Sequence, residues 1–131
     1  MMIIDTSALA AVLFQEDDAA IFEEMLATGG RCLISAVTRV EVTCVIEGRK
    51  GEEGRAALEA LLDAVSAETV SVDGAQVNLA ISGFRAYGKG RHPAGLNIGD
   101  CFSYALAKAI DEPLLFKGND FALTDIRSAL A

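Results

Sequence analysis

The side chains best placed to do chemistry in this chain are four carboxylates, Asp5, Glu41, Asp100 and Asp120. Asp5 ends the apolar run Met2-Ile3-Ile4. Glu41 lies early in the helix expected after Cys32-Leu33-Ile34-Ser35. Asp100 opens the helical pattern of Phe102, Ala105, Leu106 and Ala109, and Asn119-Asp120 follow Leu114-Leu115-Phe116. Each acid also has a purely structural reading. Asp5, like Thr6 and Ser7, suits a helix N-cap. Thr38-x-x-Glu41 matches a capping box. Asp100 suits the positive end of a helix dipole, and Asp120 suits a turn. Capping explains an acid at each place but not four at one edge with few cations nearby. Two unit charges about 5 Å apart, at an effective dielectric of about 20, repel by about 3 kcal/mol. Several such pairs weigh heavily against a domain stability of roughly 5–15 kcal/mol. A divalent cation removes that penalty, and hard carboxylate oxygens suit Mg²⁺ or Mn²⁺ rather than zinc.

The elements that must position these acids are short. Met2–Ile4, Cys32–Ser35, Thr69–Val72 and Leu114–Phe116 read as strands. Most are continuous apolar or β-branched runs, as in a parallel sheet covered on both faces. Helical faces lie between them. Ile21, Phe22, Met25 and Leu26 form one, and Leu58, Leu61, Leu62 and Val65 form another. Strands alternating with helices predict an α/β fold with βαβ units. In such sheets ligands sit outside the carboxyl ends of the strands, the edge where Asp5 and Asn119-Asp120 fall. Gly88–Gly95, with three glycines and a proline, is the one clear long loop.

Composition sets the outer bounds. The 131 residues suit one domain, 1–131, and 52% hydrophobic with 23% charged residues supports a buried core. No apolar run reaches the roughly 18 residues that cross a bilayer, and no basic, cleavable leader opens the chain. The expectation is a soluble cytoplasmic protein without membrane contact. Cys32, Cys44 and Cys101 show neither disulfide nor zinc spacing. The formal net charge of −8 repels nucleic acid as a whole, and taken alone it is read as a device for solubility.

The ordered set Asp5-Thr6-Ser7-Ala8-Leu9, Ser35-Ala36-Val37-Thr38-Arg39-Val40-Glu41, Ile98-Gly99-Asp100-Cys101 and Phe116-Lys117-Gly118-Asn119-Asp120-Phe121 resembles the PIN-domain ribonucleases. The likeness is to the VapC toxins of bacterial toxin–antitoxin pairs in particular, and it covers essentially the whole chain. It implies a single PIN-like domain, an α/β/α sandwich with a mostly parallel central sheet of four to five strands. Asp5, Glu41, Asp100 and Asp120 would be the acidic quartet holding Mg²⁺, with Mn²⁺ as a possible substitute. Asp5 and Asp100 would be its direct ligands, supported by Thr6 or Ser7 and by Asn119, which stands where relatives often carry another acid. The reaction implied is endonucleolytic RNA hydrolysis, and the partners implied are a cognate VapB-type antitoxin and a second copy in a homodimer.

Hydrolysis by water leaves 5′-phosphate and 3′-hydroxyl ends and needs no ribose 2′-hydroxyl. A carboxylate free of coordination, Glu41 or Asp120, would accept the water's proton. Arg85, Lys89, Arg91 and His92 surround the glycine-rich loop, which reads equally as a phosphate contact and as a solvated connector. Two rival classes share part of the pattern. A receiver-type signalling domain would use Asp5 for metal, Asp73 as phosphoacceptor and Lys117 as its lysine. Yet Thr6 stands where a receiver usually has a second acid, and Glu41 and Asp100 are left idle. A dehalogenase-type phosphatase would need a second Asp where Ser7 stands. A PIN-like module that binds RNA or a partner without cutting is the third alternative, and the intact quartet argues against it.

Overall fold

A computed structural model describes residues 1–131. Its elements run β1 (Met2–Ile4), α1 (Thr6–Leu13), α2 (Ala19–Thr28), β2 (Cys32–Ser35), α3 (Ala36–Ala64), β3 (Glu68–Val70), α4 (Gly74–Tyr87), α5 (Ile98–Ile110) and β4 (Leu114–Leu115). A 3₁₀ turn at Phe121–Leu123 follows. The sheet is wholly parallel, in the order β3-β2-β1-β4. Chain order and sheet order therefore differ, and the first strand lies between the second and the last.

The strands' alternation divides the core. Met2, Ile4, Cys32, Ile34 and Leu115 face α1, α2 and α3, among Leu9, Phe22, Leu26, Val42, Ile46, Leu58 and Leu62. Ile3, Leu33, Leu114 and Phe116 face the other way, onto Ala80, Tyr104, Ala105 and Leu106 of α4 and α5. Full burial of each large aliphatic side chain is favourable by roughly 1.5–3 kcal/mol, so both faces of β1, β2 and β4 hold the sandwich together. The sheet thus has the α/β/α layering and the parallel pairing expected, with four strands.

Two details depart from the sequence reading. β3 is shorter and earlier than Thr69–Val72, and it is the least buried strand because it is an edge. The helix α4 was not read from the sequence at all. Its Val77, Ala80, Ile81 and Phe84 have the i, i+3, i+4, i+7 spacing of a helical face. Val77, Ile81 and Phe84 stay partly exposed, and with Ile98, Cys101 and Phe102 of α5 they line an apolar groove.

Helix α3 is two helices in sequence, broken at Gly51, whose φ of 64° and ψ of −156° are not helical. The second half returns along the first. Arg55 reaches Glu47 at 3.2 Å, and Arg39 reaches Glu59 at 3.5 Å. Gly54 packs against Ile46 and Lys50.

Candidate active site

β1 delivers Asp5 to the carboxyl edge of the sheet. Strand pairing continues through its backbone, where the Asp5 N–H donates to Leu115 C=O at 3.0 Å. The chain then turns at once into α1, with Asp5 as the extended N-cap residue. Its side chain is buried, 3% exposed, and held on both oxygens. Oδ2 accepts from the Ser7 N–H at 3.0 Å and from Ser7 Oγ at 2.6 Å. Oδ1 accepts from Ser103 Oγ at 2.6 Å. Ser7 Oγ in turn accepts from the Lys117 N–H at 2.9 Å, which ties the segment after β4 to the start of α1.

Glu41 lies on the first half of α3. The capping box read from Thr38 and Glu41 is absent. Ser35 caps α3 through its own hydroxyl, which accepts from the Val37 N–H. With that task taken, Glu41 is free to cross to α1, where Thr6 Oγ1 donates to its Oε1 at 2.6 Å. Its other oxygen, Oε2, lies directly over Gly99. A Cβ there would collide with the carboxylate, so the glycine lets α3 and α5 close on each other at the site.

Asp100 is both a cap and a site residue. Asn97 Oδ1 accepts from the Asp100 N–H at 2.8 Å, and Asp100 Oδ2 accepts from the Asn97 N–H at 3.0 Å, a complete capping box. Desolvation nevertheless pushes the Asp100 carboxyl up to about 6, reinforced by the negative charges of Asp5, Glu41 and Asp120 and opposed by the Asn97 hydrogen bond. Asp100 thus feels all three other acids. Asp120 and Asn119 are exposed in the turn after β4, and neither side chain makes a hydrogen bond within the chain. Phe116 and Phe121, with ring centroids 5.4 Å apart, anchor that turn to the core. The structure therefore brings the four predicted acids, Thr6 and Ser7 to one edge of the sheet, with Asn119 beside them.

No three His, Cys, Asp or Glu side chains converge closely enough to hold one ion by direct contacts alone. Mg²⁺ keeps several waters and takes one or two carboxylates directly. Repulsion acts over longer distances than ligation, which is why Asp100 feels the other three acids without a closed cage. An all-oxygen, water-accessible group of mutually repelling carboxylates fits a hydrated Mg²⁺ or Mn²⁺.

Of the predicted cationic residues, Arg85 lies in the last turn of α4, and Lys89, Arg91 and His92 lie in the loop that leads to α5. Arg85, Lys89 and Arg91 are exposed, and the Arg91 guanidinium sits 5.3 Å from the centre of the Phe84 ring. His92 is turned inward. Its Nδ1 accepts from the Ala94 N–H at 3.0 Å, and its ring meets Tyr87 edge-on at 5.1 Å. The loop is closed by Lys89 N–H to Leu96 C=O and Leu96 N–H to Tyr87 C=O, and leads through Leu96 into Asn97 and Asp100.

Lys117, the lysine of the receiver-type alternative, is engaged at the start of α2 instead. Its ammonium bonds Glu16 at 2.7 Å and Asp18 at 3.0 Å. The receiver-type arrangement also fails on position. Asp73 lies beyond the edge strand β3, with β2 between it and β1, and its carboxylate accepts from the Gln76 N–H as an N-cap. Sequence reasoning missed two residues of the site, Thr38 and Ser103, which are wholly buried behind Asp5 with their hydroxyl oxygens 3.0 Å apart.

Comparison with known proteins agrees with this geometry. Residues 2–126 match the family model described as the PIN domain. The chain is 50% identical over 125 residues to Ribonuclease VapC of Mycolicibacterium smegmatis, covering 95% of this chain and 97% of that one. It is 49% identical over 125 residues to Ribonuclease VapC30 of Mycobacterium tuberculosis, covering 95% of each. Among solved structures, VapC20 of Mycobacterium tuberculosis, described as a sarcin-ricin loop cleaving toxin, superposes with a TM-score of 0.79 at 15% identity over 96% of both chains. A toxin-antitoxin complex from Klebsiella pneumoniae gives a TM-score of 0.68 at 17% identity, over 95% of this chain and 93% of that one. Fold, acidic edge and sequence similarity agree, and the chain belongs to the PIN-domain family, within its VapC ribonuclease branch.

Proposed function

We propose that this chain is a Mg²⁺-dependent endoribonuclease, the toxin of a toxin–antitoxin pair. One observation carries the reading: Asp5, Glu41, Asp100 and Asp120, up to 115 positions apart in sequence, are gathered at one sheet edge, where desolvation and then the charges of the other three raise Asp100. Asp5 and Asp100 would hold the ion directly, with Glu41 and Asp120 beside them. When bound, Mg²⁺ or Mn²⁺ supplies Lewis-acid charge at the scissile phosphate and lowers the pKa of a water. Glu41 or Asp120 accepts the proton of the attacking water. The water oxygen forms the new bond to phosphorus, the P–O3′ bond breaks and the leaving O3′ takes a proton from solvent water, giving a 5′-phosphate and a 3′-hydroxyl. Thr6 holds Glu41 and Ser7 holds Asp5, while Asn119 is positioned as a neutral contact for water or phosphate.

Arg85, Lys89, Arg91 and His92 lie at the entrance to α5 and serve as RNA phosphate contacts in this reading. A groove lined by Val37, Val40, Val72, Ile98 and Phe102 runs up to Glu41. It suits an apolar antitoxin segment that brings a basic side chain to the acids, and the adjoining α4–α5 groove, which shares Ile98 and Phe102 with it, suits a second copy of the chain. No helix is long and apolar enough to cross a membrane, in keeping with action in the cytoplasm. The test is Mg²⁺-dependent cleavage of RNA by the native chain, Asp5→Asn and Asp100→Asn. Near-total loss is expected in both variants, with the far-ultraviolet spectrum of the native fold retained. Full activity in either variant, or native cleavage that survives EDTA, refutes the mechanism.

A further inference from the structure

The buried hydroxyls behind Asp5 have a direction that follows from counting protons. An ionised carboxylate only accepts, and a serine hydroxyl has one proton to give. Ser103 Oγ directs its proton to Asp5 Oδ1 at 2.6 Å. In the 3.0 Å contact between Thr38 Oγ1 and Ser103 Oγ, Thr38 must then be the donor. A helical threonine usually gives its proton to the carbonyl four residues back. Thr28 does so to Glu24 C=O, and Thr43, on the same helix as Thr38, does so to Arg39 C=O. Thr38, in the first turn of α3, has no helical carbonyl four residues back, and its hydroxyl reaches across to α5. Both Thr38 and Ser103 are fully buried, so neither hydroxyl is available to substrate.

Two donor chains therefore converge on Asp5, Thr38 to Ser103 to Oδ1 and Lys117 N–H to Ser7 to Oδ2. With the Ser7 N–H also on Oδ2, three of the carboxylate's roughly four lone-pair sites are filled. The one left over is on Oδ1, the oxygen that Ser103 orients. We propose that Ser103, backed by Thr38, is a positioning residue for the metal site. The pair fixes the rotation of the Asp5 carboxylate so that its single open lone pair faces the ion. The inference rests on the metal-dependent reading above and adds α3 and α5 residues that do not themselves touch metal or RNA. Loss of an outer partner of a metal ligand typically weakens metal affinity or activity about 10–100-fold.

Mn²⁺ affinity, measured directly by calorimetry on the full-length chain, tests this with a matched pair of substitutions. Thr38→Val keeps the shape and removes the donor, whereas Thr38→Ser keeps the donor and removes a methyl. Thr38→Ser is expected to bind Mn²⁺ within about twofold of native, Thr38→Val about 3–10-fold more weakly, and Ser103→Ala about 10–100-fold more weakly. RNA cleavage should show the same order in kcat with KM nearly unchanged. Denaturation in EDTA verifies folding, and the threonine pair decides the matter alone if Ser103→Ala fails to fold. Native-like Mn²⁺ affinity in Thr38→Val overturns the positioning role. Asp5→Asn separates the two levels. If the native chain binds no Mn²⁺, or Asp5→Asn binds it as native does, the metal reading falls and the positioning falls with it. Binding lost in Asp5→Asn but intact in Thr38→Val and Ser103→Ala removes the positioning alone.

Discussion

Asp100 combines two opposed demands. As part of the Asn97 capping box its carboxylate supports α5, yet desolvation and the neighbouring acids raise it to about 6 from an ordinary 3.8. The folded chain therefore holds this proton more tightly than the unfolded chain does. Its contribution to stability is complete below about pH 4 and is lost as pH rises through about 6. In EDTA, Asp100→Asn should melt higher than native at pH 7.5, and the difference should vanish below pH 4. Added Mg²⁺ should raise the native melting temperature and leave the variant's unchanged. Thermal denaturation at the two pH values, with and without the ion, measures both effects. At this scale the acids were readable from their place beside strand ends and helix starts. Capping proved true of Asp5 and Asp100 and untrue of Glu41. Thr38 and Ser103 left no mark in the sequence, because a hydroxyl contact between positions 65 apart has no spacing to reveal it.

Among the elements, β1, β2, β4 and the helices carrying Phe22, Leu58 and Phe102 follow from apolar spacing, which tertiary packing reinforces. Helix α4 was missed because its apolar face lies against only one neighbour and stays half in solvent, and because Gly74, Gly83 and Gly88 interrupt it or end it. The two halves of α3 are the two helices legible in the sequence, one carrying Glu41 and one carrying Leu58. Gly51, between Lys50 and Glu52, makes the turn that separates them. Its φ of 64° with ψ of −156° lies in a region essentially reserved for glycine. Gly51→Ala should therefore cost about 1–3 kcal/mol, seen as a lower urea midpoint. Glu41 lies ten residues away, about 15 Å along the helix, so cleavage per folded molecule should hold.

For the molecule as a whole, the net charge of −8 hides an uneven distribution. Arg31, Arg39, Arg55, Lys108, Lys117 and Arg127 are all in ion pairs. Arg49 covers the Phe14 ring at 4.0 Å. Arg85, Lys89 and Arg91, around the glycine-rich loop, have no carboxylate partner and remain free to meet an anion. In an Asp5→Asn background, Lys89→Ala with Arg91→Ala should weaken RNA binding and reduce the slope of log affinity against log salt by roughly 1.4–2. An unchanged slope in filter binding across a salt series would remove the loop from the RNA surface. The composition showed only the excess of acid. Which cations are already neutralised depends on contacts between α3's two halves and between α5 and the C-terminal segment, and these form only in the folded chain.

The placement of β1 beside β4 bears on how the protein is made. A ribosome delivers the N-terminal segment first, yet Asp5 obtains its Leu115 backbone bond, and Ser7 its Lys117 bond, only from residues near the other terminus. Nascent chains stopped before position 114 lack one whole side of the first strand and the support it gives to the acids. Translation products that stop short of β4 should accordingly be inert, with the hazard to the cell arising only once residues 114–117 have left the ribosome.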